Sequence, residues 1–125
     1  MKRFALTLCL LMFFGSAGWC LEIADSVITT AVEDRAPVDR IEVFSAADGR
    51  LFCFTRVVGA EEPTEILHLW YHEDQLRSRV LLPVRSPDWR TWSSKKFSPE
   101  WRGEWRVEIR DAEENLLESL RFTLI

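Results

Sequence analysis

Polar and apolar residues alternate most cleanly near the end of the chain, where Trp105, Val107 and Ile109 fall on one side of an extended backbone and Glu104, Arg106, Glu108 and Arg110 on the other. A period of two marks a half-buried strand. The chain after residue 20 is built of such segments. Residues 23–32 are rich in β-branched side chains and stop at Asp34-Arg35-Ala36-Pro37, which predicts a first strand at a sheet edge. Residues 41–44 predict a short second strand. Asp48-Gly49 signals a turn, and the β-branched and aromatic residues 50–58 follow it as a strand. After a polar loop at 59–64 come strands at 66–72 and 76–84, turning at Glu73-Asp74, then one at 91–97 between Ser86-Pro87-Asp88 and Ser98-Pro99-Glu100. The alternating strand around Trp105 leads through a turn at 111–115 into a last strand at 116–125, with Leu120, Phe122 and Leu124 on its core side.

Seven or eight short strands without helical periodicity predict an all-β protein, an immunoglobulin-like antiparallel β-sandwich of about seven strands. Cys53 resembles the first cysteine of that fold and Trp70, on the next strand, its core tryptophan. Trp105 stands where the second cysteine is expected, so packing replaces the disulfide. The expected core includes Cys53, Trp70, Trp105, Val107, Ile109 and Phe122.

The first twenty residues break the pattern. Lys2 and Arg3 form a basic head, residues 4–14 an apolar run, and Gly15, Ser16, Ala17 and Gly18 a small-residue stretch, as in a secretory signal peptide. The expected organisation is a signal peptide over residues 1–20 and a single β-sandwich domain over 21–125. Cleavage after Gly18 and cleavage after Cys20 both fit. Trp19 argues against lipidation at Cys20, because a small residue is wanted there. The apolar run is short of the roughly 20 residues that span a bilayer, and no second run follows, so the mature chain is expected to carry no transmembrane segment. Periplasmic or secreted localisation follows.

The chain of 125 residues is 47% hydrophobic and 29% charged, an ordinary globular composition. Starting at Leu21 removes Lys2 and Arg3 from 16 basic residues, leaving 14 against 20 acidic ones and a net charge of −6. Interleaved charges of this sign exclude a phosphate backbone as partner, so nucleic acid is not expected. Cys53 would then be the only cysteine, and no disulfide could form within the domain.

Few residues invite catalysis. His68 and His72 are four apart, which on a strand separates them by about 13 Å, too far to share a metal ion. The expectation is one exposed histidine and one packed beside Trp70. Cys53 sits among aromatics without a base and reads as a buried thiol. There is no Gly-x-Ser-x-Gly elbow, and Glu61-Glu62 and Glu113-Glu114 read as solvated turns. The chain is expected to be no enzyme and to use no cofactor or metal. More informative are Trp89, Trp92 and Trp101, which lie in charged, turn-rich stretches beside Arg90, Lys95, Lys96 and Arg102. Aromatics with arginine make interface hot spots and also stack on sugars, whereas cationic stems can instead simply cover the rings. Phe52 and Phe54, opposite Cys53, are a second candidate for an exposed face.

The blocks Leu51-Phe52-Cys53-Phe54-Thr55-Arg56-Val57, His68-Leu69-Trp70-Tyr71, Leu82-Pro83-Val84-Arg85-Ser86, Trp89-Arg90-Thr91-Trp92-Ser93-Ser94-Lys95 and Gly103-Glu104-Trp105-Arg106-Val107 together resemble the bacterial family known as domain of unknown function 2914. The resemblance runs from about residue 50 to 125. It implies a small β domain of the bacterial envelope and assigns no catalytic residues. The expected function is therefore a non-enzymatic interaction module that contacts another envelope protein through Trp89, Arg90, Trp92, Lys95, Trp101 and Arg102. The alternative is a carbohydrate-binding module that recognises glycan through the same tryptophans.

Overall fold

A computed structural model describes residues 21–125. The expected signal peptide and Cys20 lie outside the described residues. Seven long strands, β1 (Glu22–Thr29), β5 (Arg50–Val58), β6 (Thr64–His72), β7 (Gln75–Val84), β8 (Asp88–Lys96), β9 (Gly103–Asp111) and β10 (Leu116–Leu124), are joined by three two-residue strands, β2 (Val32–Glu33), β3 (Ala36–Pro37) and β4 (Val43–Phe44). They form a three-stranded sheet ordered β1-β5-β8, a five-stranded sheet ordered β4-β10-β9-β6-β7, and a small β2-β3 ribbon. The result is an all-β sandwich. Among the described residues no helix is long and apolar enough to cross a membrane.

The turns follow from local chemistry. Glu73 and Asp74 both take positive φ, 50° and 69°, the geometry that joins two strands with a two-residue turn. Asp111 accepts hydrogen bonds from the backbone N–H groups of Glu113 and Asn115, closing the β9–β10 turn. Pro83 is tolerated because β7 is an edge strand, with one side unpaired among the described residues.

Several sequence expectations need correction. The first strand ends at Thr29, because residues 30–39 turn back as the β2-β3 ribbon, with Asp34 and Arg35 at positive φ and Asp39 tied to Thr29 and Thr30. Strand β8 begins at Asp88, three residues earlier than expected, since Trp89 already pairs with Val57. Pairing is antiparallel throughout the long strands, but β4 runs parallel to β10.

The interior lies between the sheets. Leu51, Cys53 and Val57 of β5 face Ile66 and Trp70 of β6, Trp105, Val107 and Ile109 of β9, and Phe122 and Leu124 of β10, all buried. Burial pushes the Cys53 thiol up to about 12, so it stays protonated. The histidine expectation fails in its exposed half, because neither ring is an exposed strand residue, whereas His68 does pack beside Trp70. His68 is fully buried, its Nε2 paired with Thr55 Oγ1 at 2.9 Å and its Nδ1 with Ser93 Oγ at 2.6 Å, while the Trp70 indole donates to the same Ser93 at 3.0 Å. This polar stitch joins β6 to both β5 and β8 across the core. His72 is half-buried and stacks on Trp105 at 4.8 Å.

Candidate binding face

Strand alternation divides the residues of β8 between two faces. Trp89, Thr91, Ser93 and Lys95 turn inward, whereas Arg90, Trp92, Ser94 and Lys96 turn outward. Trp89 packs against the core cluster, opposite Val57. Trp92 is 37% exposed. It stacks on Phe54 of β5, centroids 6.4 Å apart and planes 16° from parallel.

The outer face of the three-stranded sheet therefore reads in rungs. Arg56 stands opposite Arg90, Phe54 opposite Trp92, Phe52 opposite Ser94, and Arg50 opposite Lys96. On β1, Asp25, Val27 and Thr29 extend three of these rungs. Val27, Thr29 and Phe54 point away from the interior and are nevertheless buried. The pinned segment 30–39 covers this end of the face, with Pro37 beside Phe54. Arg56 is bidentate to Asp88 at 2.9 and 2.7 Å. That hydrogen bonding, aided by the charges of Arg56, Arg90 and Arg35, holds the Asp88 carboxyl below its usual range.

Lys95, Trp101 and Arg102 belong elsewhere. Lys95 points inward at the rim of the sandwich, its Nζ 5.8 Å from the ring of Trp101 and 5.9 Å from that of Trp105. Burial, with the nearby charge of Arg77, lowers its pKa. Arg77 covers Trp101 at 4.8 Å, so cationic stems shield this tryptophan. Arg102 is exposed in the turn before β9, and its carbonyl meets His72 Nε2 at 2.8 Å. Of the six candidates, the structure brings only Arg90 and Trp92 to one open surface. Their neighbours Arg50 and Arg56, and the pairing of Trp92 with the separate candidate Phe54, are revealed only by strand register, and Arg35 only by the β2-β3 ribbon.

The rim around His72 is tightly built. Gly103 adopts φ +126°, and a Cβ there would run into the Glu73 carboxylate and approach His72 Nε2 to 3.3 Å. Glu73 needs that position to accept the Glu104 N–H at 3.1 Å. Gly103→Ala is expected to cost about 1–2 kcal/mol, roughly 5–10 °C in Tm, by thermal melting monitored with circular dichroism. An unchanged Tm would mean that neither the positive φ nor the Glu73 contact resists a side chain there.

The outer face of the five-stranded sheet offers a different surface. Glu108 is buried there between Arg106 and Arg110, with contacts of 3.1 and 2.7 Å. Burial raises its pKa, but the hydrogen bonds from both arginines outweigh that and hold it low. A neighbouring open pocket of about 330 Å³ is lined by Tyr71, Asp74, Arg106 and Arg121, among others. Its charges are largely committed, Arg106 to Asp74 and to Glu108 and stacked over Tyr71. Among the described residues no three His, Cys, Asp or Glu side chains gather as a metal site.

No curated protein matches the chain. A family match is found within residues 63–124. It spans β6 to β10, including the Trp-Arg-Thr-Trp-Ser-Ser block of β8, and is narrower than the resemblance read from the sequence, because β5 falls outside it. That segment alone would leave β8 without its pairing partner. With the five-stranded sheet less its short β4, and β8 from the other sheet, residues 63–124 match the family described as Protein of unknown function (DUF2914), the family whose blocks the sequence resembles.

Proposed function

We propose that this is an exported, non-enzymatic interaction module of the bacterial envelope that docks another envelope protein on the outer face of its three-stranded sheet. One observation carries the reading: Trp92, exposed and braced by Phe54, sits between cationic rungs beside a strand edge that no other strand pairs among the described residues. Rigid aromatics flanked by arginine are the usual anchors of protein interfaces. An open strand edge offers main-chain pairing to a partner. The glycan alternative has less support, because stacking a sugar chain favours several exposed coplanar rings, and Trp89 and Trp101 are turned inward or shielded.

The strand order supports an immunoglobulin-like reading. Strands β1, β5 and β8 take the places of A, B and E, and β10, β9, β6 and β7 those of G, F, C and C′. Cys53 then lies on B, Trp70 on C and Trp105 on F, with the tryptophan in place of a disulfide partner. The Ser93–His68 pair supports a structural role over a nucleophilic one, since both groups are buried and burial makes the ring a weak base.

The test is in-cell crosslinking of the tagged chain behind its own leader, comparing wild type with a Trp92→Ser, Arg90→Ser variant. One envelope protein should be recovered with wild type and lost, by about tenfold or more, with a variant whose melting curve is unchanged. Retention of every partner by the variant, or enrichment of none by wild type, would refute the reading.

A further inference from the structure

The mature chain is acidic, yet one of its faces is cationic in an unusual way. Like charges directly opposite each other destabilise a sheet, and on β5 and β8 this happens twice on the same face, at Arg56 with Arg90 and at Arg50 with Lys96. Only part of this charge is neutralised within the described residues. Arg56 is held by Asp88. Arg50 donates to Ser94 Oγ at 2.7 Å, a neutral partner. Arg90 reaches only the carbonyl of Arg35, at 3.4 Å, and neither Lys96 nor Arg35 has an ion pair among those residues.

The β2-β3 ribbon adds a wall to one end of this face. Arg35, Arg56 and Arg90, with Asp25, Pro37 and Phe54, line a pocket of about 130 Å³. Asp25 is already engaged by Arg40 at 3.3 Å. Two guanidinium groups without an ion pair among the described residues, over an apolar floor, suit a side-chain carboxylate with its methylenes, because arginine pairs with carboxylates in a planar fork.

The edge of β8 that no strand of the described residues pairs borders the same face. A segment added along that edge would place alternate side chains over the outer rungs. The Arg90 and Lys96 rungs are six residues apart, about 20 Å along a strand, with Trp92 between them. Cationic edges repel one another, which disfavours a second copy of this chain as occupant.

We propose that the β8 edge receives an extended acidic segment of the partner protein, one carboxylate entering the pocket at Arg35 and Arg90, another meeting the Arg50–Lys96 rung, and an apolar side chain between them resting on Trp92. This rests on the reading of the outer face as the docking surface. It adds what the partner must present: acidic residues six apart in an extended stretch, with an apolar residue two positions from the one that fills the pocket.

The experiment titrates the mature protein with a synthetic peptide in which threonine alternates with Glu, Val, Thr and Glu. The controls are its twin with glutamine for both glutamates, and a galacturonate oligosaccharide. The acidic peptide should bind about tenfold or more tightly than the glutamine twin, in line with two exposed charge contacts, and weaken as salt is raised. Amides of β8 should gain protection from hydrogen exchange on binding. Arg90→Ser, Lys96→Ser should reduce affinity by a similar factor without lowering Tm, because it relieves two opposed like-charge pairs. Equal binding of the two peptides, binding of neither, or binding of the oligosaccharide alone overturns the proposal. If crosslinking still captures a Trp92-dependent protein while the acidic peptide fails to bind, the interaction module stands and the acidic-strand inference falls.

Discussion

Trp105→Ala is expected to remove about 3–5 kcal/mol of folding free energy, the range for losing a large buried aromatic. Trp105 is 1% exposed on the inner face of β9. Its ring lies parallel to Phe122 within 11° at 6.0 Å, meets Phe97 edge-on at 4.9 Å and stacks against His72 at 4.8 Å. Its indole N–H donates to the Trp101 carbonyl at 2.8 Å, so truncation also strands that acceptor. Neighbours from β6, β9, β10 and the 97–101 segment all lose a shared wall. Partial collapse cannot refill it, because His72 is held by Arg102 and Phe122 by strand pairing. A small domain has only about 5–15 kcal/mol in all, so the variant should unfold at a much lower urea concentration with an unchanged slope. Trp105→Phe keeps a ring and should recover more than half of the loss. If both substitutions cost the same, the indole hydrogen bond outweighs the packing, contrary to the cluster geometry.

How far the sequence anticipated this arrangement varies with how local the deciding contacts are. Strand β5 was expected over the residues it occupies, and β6, β7, β9 and β10 to within two, because alternation and flanking turn residues act over a few positions. Strand β8 was expected three residues short, since Ser86-Pro87-Asp88 reads as a turn, while the pairing of Trp89 with Val57 lies 32 positions away in the chain. The ribbon over the sheet was hidden for a similar reason. Asp34-Arg35-Ala36-Pro37 looks like a terminator, and only the tie between Asp39 and Thr29 turns it back onto Phe54.

The candidate site shows the same division. Trp89 and Trp92 are three apart, an odd interval that on any strand sends them to opposite faces, so they could have been separated from sequence alone once a common strand was assigned. The rungs of opposed cations could not. Arg56 opposite Arg90 and Arg50 opposite Lys96 exist only through the register of β5 on β8. Which histidine is the buried one does not show in the sequence, because what buries His68 comes from Thr55 and Ser93, 13 and 25 residues away.

That buried histidine should make the fold sensitive to mild acid. Burial pushes the His68 imidazole down to about 3. The neutral ring donates through one nitrogen and accepts through the other, and the Thr55 and Ser93 hydroxyls satisfy either tautomer. In the unfolded chain the same ring titrates near its ordinary value of about 6.5. Between these values the unfolded state binds the extra proton, so stability rises with pH there and is lost as pH falls from about 6.5 toward 3. Linkage gives a loss of about 2 kcal/mol between pH 7 and pH 5 for this residue. The carboxylates held low, Asp39, Asp88 and Glu108, add their losses at lower pH, as it falls through the ordinary carboxylate range. His68→Gln keeps a neutral hydrogen-bonding side chain and removes the titration. Urea unfolding at pH 7 and pH 5 should therefore show the wild type losing about 2 kcal/mol more than the variant across that interval. Equal losses in the two proteins would mean that the ring is protonated in the fold at pH 5, with water or a carboxylate reaching the Thr55–His68–Ser93 stitch.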